Sequence, residues 1–157
     1  LAENRDQAGR FPAWPVTLIR DLGRADQADE AVVLSEALAA VDPARHGSFA
    51  GQAAVALAEA GLADDARAKI AENTERWPDD VRVRLLAGDA LAMLGNTEAA
   101  LAQFQVALLL AQQAKDFKVI RALSTRMFRL THPAAGEMVQ RRQPRSRQAR
   151  SQRKGKR

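Results

Sequence analysis

Few residues in this chain have the means to do acid–base chemistry. There are two histidines, His46 and His132, and no cysteine. The side-by-side acidic residues are Asp29-Glu30, Asp64-Asp65 and Asp79-Asp80. A working carboxylate pair needs surroundings that push the two pKa values apart, so that one gives a proton and the other takes one. Each of these pairs instead falls where a helix is expected to begin. There a carboxylate accepts from free backbone N–H groups and favours the helix dipole. His46 lies in a turn over 43–47 and His132 lies beside Pro133, both turn or surface positions. The sequence has no phosphate-binding glycine loop, no nucleophile elbow and no metal-spaced set of histidines. No enzymatic role, cofactor, metal or small-molecule substrate is therefore expected.

The other chemistry on offer is electrostatic. The chain holds 24 Lys and Arg against 19 Asp and Glu, a formal net charge of +5. Nine of those cations stand in residues 141–157: Arg141, Arg142, Arg145, Arg147, Arg150, Arg153, Lys154, Lys156 and Arg157. No acid stands among them, so residues 1–140 keep 15 bases against 19 acids and are mildly acidic. A cation run of this kind attracts phosphates or anionic headgroups, with steep salt dependence and little sequence preference. No aromatic residue interleaves the run, so base stacking within it is not supported. It has no apolar face either, which argues against membrane insertion. The plainer alternative is a solubilising segment, or one that lies back on the acidic body.

The elements that would carry these residues read as helices. Ala, Leu and Val are abundant and Tyr is absent, which favours helix. Residues 1–13 are polar and expected to be flexible. Pro15 suits the first turn of a helix that Gly23 ends. A second helix, over about 26–41, turns Ala28, Val32, Ala37 or Leu38, and Val41 inward and stops at Asp42-Pro43. A third carries Phe49, Ala53, Ala54, Leu57 and Ala58 inward, with Gly61 as its C-cap. Asp64 and Asp65 open a fourth, which shows Ala66, Ile70 and Trp77 near helical spacing and stops at Pro78. Asp79 or Asp80 caps a fifth, with Val83, Leu86, Ala87, Ala90, Leu91 and Leu94 on its buried face. After Gly95-Asn96, Thr97 and Glu98 begin a long sixth, with Ala100, Leu101, Phe104, Ala107 and Leu108 inward. A break at 114–116 precedes a last helix over 117–131. Its stripe is Phe117, Ile120, Leu123, Met127 and Leu130, and its solvent face is Lys118, Arg121, Thr125, Arg126 and Arg129. Residues 134–157 cannot bury enough apolar surface to fold alone.

Gly61 precedes Gly95 by 34 residues, as Leu57 precedes Leu91, Ala66 precedes Ala100 and Ile70 precedes Phe104. A fixed period with a helix-turn-helix in each unit is the signature of a stacked helical array. These residues resemble the tetratricopeptide repeat, a 34-residue unit of two antiparallel helices. Counting from Val81, the family's preferred positions hold Gly88, Gly95, Ala100, Phe104 and Ala107, and Gln112 departs. Counting from Gly47 they hold Ala54, Gly61, Ala66 and Pro78, with Ile70 and Asn73 at the aromatic and alanine positions. Counting from Pro12, only the end of the unit, at Pro43, matches. The stretch 77–95 is also similar to bacterial repeat proteins that carry a zinc motif of the SecA C-terminal type. That motif needs several Cys, and 141–157 has none, so no metal site is carried over.

In that family the first helix of each unit lines a concave groove. The resemblance implies groove positions at Ser48, Gly51, Val55, Ala58 and Glu59, then at Arg82, Leu85, Asp89, Ala92 and Met93. Arg82 and Asp89 would be polar anchors for a peptide or helix, and Val55, Leu85 and Met93 apolar ones. The plainer alternative is solvated helix positions, with Asp89 paired to Arg82 or Arg84. The carboxylate clamp of some members is not implied: Val16, Arg20 and Leu86 miss its pattern, and only Arg82 and Gln52 approach it.

The expected fold is all-α. It is a tetratricopeptide-like α-α solenoid of about three helix pairs over 14–133, with a C-terminal capping helix, a flexible N-terminus (1–13) and a disordered basic tail (134–157). The expected function is a non-enzymatic protein-interaction module or adaptor of the bacterial cytoplasm, taking a peptide or helix in the groove. The alternative is an RNA- or ribosome-associated protein that grips the phosphate backbone with its tail. A third reading is the docking part of a longer polypeptide, since the chain opens on Leu rather than Met. The first ten residues carry four charges and no apolar core, so no secretory signal is expected there.

Overall fold

A computed structural model describes residues 14–132, and they form seven α-helices. These are α1 (Trp14–Arg24), α2 (Ala28–Val41), α3 (His46–Glu59), α4 (Ala63–Arg76), α5 (Val81–Met93), α6 (Thr97–Gln113) and α7 (Phe117–Thr131). A single 3-10 turn, Pro43–Arg45, joins α2 to α3, and no strand occurs among the described residues. The tail cations and residues 1–13 lie outside the described residues.

One turn geometry recurs four times. The backbone enters the left-handed region at Asp26 (φ 63°), Gly61 (77°), Gly95 (76°) and Lys115 (55°). The next N–H then reaches back to the carbonyl five residues earlier: Gln27 to Leu22, Leu62 to Leu57 and Asn96 to Leu91 at 3.0 Å, and Asp116 to Ala111 at 2.9 Å. This six-to-one bond of the Schellman motif satisfies carbonyls that a helix end leaves free. The Gly61 and Gly95 turns agree bond for bond, each glycine N–H also meeting the carbonyl three residues back at 3.1 Å. The excursion at Asp26 is also why α2 begins at Ala28, later than the sequence suggests.

Helix starts are capped unevenly. Asp80 accepts from the Arg82 and Val83 N–H groups at 2.7 and 3.1 Å, so it, and not Asp79, caps α5. Asn96 and Asp116 cap α6 and α7 in the same way. Asp29, Glu30, Asp64 and Asp65 stand in first turns but do not cap, because the cap positions are Gln27 and Leu62. Their remaining contribution is charge at the positive helix end, and Asp64 also meets Arg67 at 2.9 Å. His46 is the first residue of α3 rather than part of the preceding turn.

Each helix packs on its chain neighbour, and α3 also packs on both α1 and α5. Gly23 lies inside α1, which it was expected to end; its missing side chain lets α1 approach Ala56 of α3. The main apolar cluster runs from α2 to α7 through Leu57, Ile70, Leu86, Leu91, Phe104 and Leu123. A second joins Ile19, Ala31, Phe49 and Ala56. Gly88 is needed for closeness, since a Cβ there would lie 2.5 Å from Phe104 Cδ1 and 2.9 Å from Cζ. Asn73, buried where the repeat pattern has alanine, donates from Nδ2 to the Ala50 carbonyl at 2.9 Å and ties α4 to α3. Two expected core residues are exposed: Val41, at the last position of α2, and Phe117, at the first of α7. Val119 is buried beside Leu123 in Phe117's stead. Charged ties span about one unit of sequence. Arg24 meets Glu59 at 3.3 Å, Lys69 meets Glu36 at 2.8 Å and Arg126 meets Asp89 at 2.8 Å.

Candidate binding surfaces

The starts of α3 and α5 bring His46, Trp77 and Asp80 together. One Asp80 oxygen caps α5, and the other lies 3.3 Å from His46 Nε2. His46 Nδ1 faces the Pro43 carbonyl, and its ring tilts against Trp77 with centroids 5.0 Å apart. Both ring nitrogens are thus engaged with the protein. The arrangement fastens the entry of α3 to the entry of α5. Next to it lies a recess of about 320 Å³ lined by Arg45, Gly47, Ser48, Asp80 and Arg82. Two of the expected groove residues, Ser48 and Arg82, share this recess.

The rest of the expected groove is not an open surface. Val55 and Leu85 are only 3% and 4% exposed and belong to the main apolar cluster. They therefore hold helices together and are not apolar anchors for a ligand. The reason is packing: α3 lies against both α1 and α5, so its inward positions are taken up by helix seams. Ala58 is buried, and Gly51 is covered by Leu86. Glu59 is drawn to Arg24, and Asp89 to Arg126 rather than to Arg82 or Arg84. Arg126, expected on the solvent face of α7, is half-buried for this reason. Arg84 instead donates to the Pro78 carbonyl and to Gln103. Arg82 and Met93 remain exposed.

A second recess, of about 300 Å³, opens between α2, α3 and α4 beside Glu36, Lys69, Glu72, Asn73, Arg76 and Trp77. Lys69 Nζ donates to Glu36 at 2.8 Å and to Glu72 at 2.7 Å. Partial burial lowers its pKa, but the hydrogen bonds and charges of Glu36 and Glu72 outweigh that and hold the ammonium above its ordinary value. The Arg76 guanidinium lies over the Trp77 ring, 4.6 Å from its centre. Within this recess Lys69, Glu36 and Glu72 are matched to one another, and Asn73 is taken up by the Ala50 carbonyl. Sequence reading missed it, since the only signal was the spacing of Glu36, Lys69 and Glu72.

The chain matches no family model, and no curated protein and no solved structure matches it. Among the described residues, no three His, Cys, Asp or Glu are grouped to hold a metal. No described helix is long and apolar enough to cross a membrane.

The outward face of α7 is a further exposed surface. Phe117 is 77% exposed and Phe128 53%. Lys118, Arg121 and Arg129 are exposed on the same helix, which carries no acid. The His132 ring stacks on Phe128 at 4.5 Å, 15° from parallel. The sequence pattern placed Phe117 in the core and so hid this face.

Proposed function

We propose that this chain is a tetratricopeptide-like array acting as a non-enzymatic protein-interaction module. The observation that carries the reading is the match of the Gly61 and Gly95 turns, bond for bond at the 34-residue spacing of the sequence repeat. Helix pairs built on one turn and stacked in series form extended surfaces suited to binding. With Val55 and Leu85 in the core, the binding surface is narrower than the family's groove positions imply. It comprises Ser48 and Arg82 at the starts of α3 and α5 and Met93 at the end of α5, while Glu59, at the end of α3, and Asp89 are held in ion pairs. A short peptide or helix with a carboxylate for Arg82 and an apolar side chain for Met93 suits that arrangement. The test is affinity capture with the parent chain and with Arg82→Glu plus Met93→Glu, both side chains being exposed. Loss of specific proteins at unchanged helicity supports the reading, and an unchanged set of captured proteins refutes it.

A second reading rests on charge separation. Nine cations without an acid follow a mildly acidic body, which suits binding to a phosphate backbone by an RNA- or ribosome-associated protein. Deleting 141–157 should abolish retention on heparin and on RNA, and the parent chain's retention should fall steeply with salt. A change in solubility alone would leave the tail with no binding role.

A further inference from the structure

We infer that the outward face of α7 is a stacking platform for single-stranded nucleic acid. The inference rests on the second reading above, that the tail takes a polyanion, and adds the part that distinguishes one strand from two.

Phe117 and Phe128 are eleven residues apart in α7. At about 100° per residue that separation brings them back to nearly the same side, about 16 Å apart along the axis. Arg121 lies between them on that side, with Lys118 and Arg129 round the flank. The opposite side, Val119, Leu123, Met127 and Leu130, is committed to the core. Arg126 is committed to Asp89. Among the described residues, Lys118, Arg121 and Arg129 have no carboxylate in ion-pair reach. The two exposed rings stand apart on one face, with Arg121 between them and Lys118 and Arg129 beside them.

The partner that fits is anionic and presents flat apolar surfaces at regular intervals. Single-stranded nucleic acid has both properties. Its bases stack on aromatic rings whatever their identity, while cations follow the backbone. A span of about 16 Å reaches over two or three nucleotides. The Phe128–His132 pair is already a two-ring stack that a base would extend. The sequence after α7 holds nine cations and a single acid, Glu137. In duplex nucleic acid the bases are already stacked and cannot reach the rings. An acidic helical peptide would match the charge but has no use for separated flat rings.

The test uses the full chain and a fluorescein-labelled 15-nucleotide uridine strand, with a 15-base-pair duplex as control, read by fluorescence anisotropy. The parent chain should bind the single strand more tightly than the duplex. Phe117→Ala with Phe128→Ala should weaken single-strand binding by about tenfold or more, from lost stacking. Duplex affinity and the slope against log salt should stay unchanged, because no charge is altered. Phe117→Trp with Phe128→Trp should restore single-strand binding. Both positions are exposed, so helicity should be unchanged in each variant. Single-strand affinity unchanged in the alanine pair, or equal losses on strand and duplex, overturns the platform while leaving the tail's role intact. No binding to either probe by the parent chain overturns both readings. Binding instead to an acidic helical peptide, and to neither nucleic acid, assigns the face to a protein partner and overturns the inference.

Discussion

Gly88→Ala puts the packing of α5 on α6 to a direct test. A methyl group at position 88 would sit 2.5 Å from Phe104 Cδ1 and 2.9 Å from Cζ. Carbon contacts settle at about 3.5–4.0 Å, so the ring has to retreat by about 1 Å. It has nowhere to go: Phe104 is 1% exposed and packs in the main cluster. Overpacking of this kind costs about 1–3 kcal/mol, and this overlap belongs at the upper end. Alanine in a helix interior returns about 1 kcal/mol relative to glycine. The net expected loss is about 2 kcal/mol, read as a lower urea midpoint at unchanged m-value in the helical circular dichroism signal. Phe104→Leu makes room for the methyl group. In a double-mutant cycle the pair should therefore cost about 1–2 kcal/mol less than the sum of the single changes. Gly88→Ala at or above parental stability refutes the close-approach argument, and additive costs show that the methyl group and the ring do not meet.

Four further outcomes concern turns, caps and charge. Lys115→Gly should stabilise by about 0.5–1 kcal/mol in the same assay, because φ of 55° strains a side-chain-bearing residue. Gly95→Ala has open space for its methyl group but φ of 76°, so it should lose about 1 kcal/mol from the backbone alone. Asp80→Ala should cost about 1 kcal/mol through the lost cap on Arg82 and Val83, and Asp80→Asn distinctly less. Lys69 is held above its ordinary 10.5 by Glu36 and Glu72, so its contribution to stability is complete below 10.5 and lost as pH rises through the folded value. Parent chain and Lys69→Met should therefore differ by a constant amount at neutral pH and converge in strongly alkaline solution; a difference that widens there refutes the assignment.

Most helix boundaries were legible from local signals, although Gly23, read as the end of α1, lies inside it, and Asp64 and Asp65, read as caps, do not cap α4. At the break over 114–116 the left-handed Lys115 carries no turn signal of its own, but Asp116 beside it caps α7 and marks its start. Gly61 and Gly95, by contrast, announce their turns. What depends on a distant partner was not legible. Val55 and Leu85 looked like surface positions because a family pattern places them there, and only the seams of α3 with α1 and α5 bury them. Arg126 looked solvated because Asp89, 37 positions away, is invisible to periodicity. Phe117 was misplaced by its hydrophobicity, although its angle on the helix sets it well away from Leu123. The misplacement mattered most for function, since it concealed an exposed aromatic ring.

The three charged ties, Arg24–Glu59, Glu36–Lys69 and Asp89–Arg126, join residues 33 to 37 positions apart. Helix contacts run mainly between chain neighbours and next neighbours, so the loops that close during folding are short compared with the chain. Loop-closure entropy is therefore spent in small instalments, each offset by a helix seam as soon as it forms. Short closures of this kind lower the contact order and favour fast folding. During synthesis, the α1–α3 seam can form before α5 has been made.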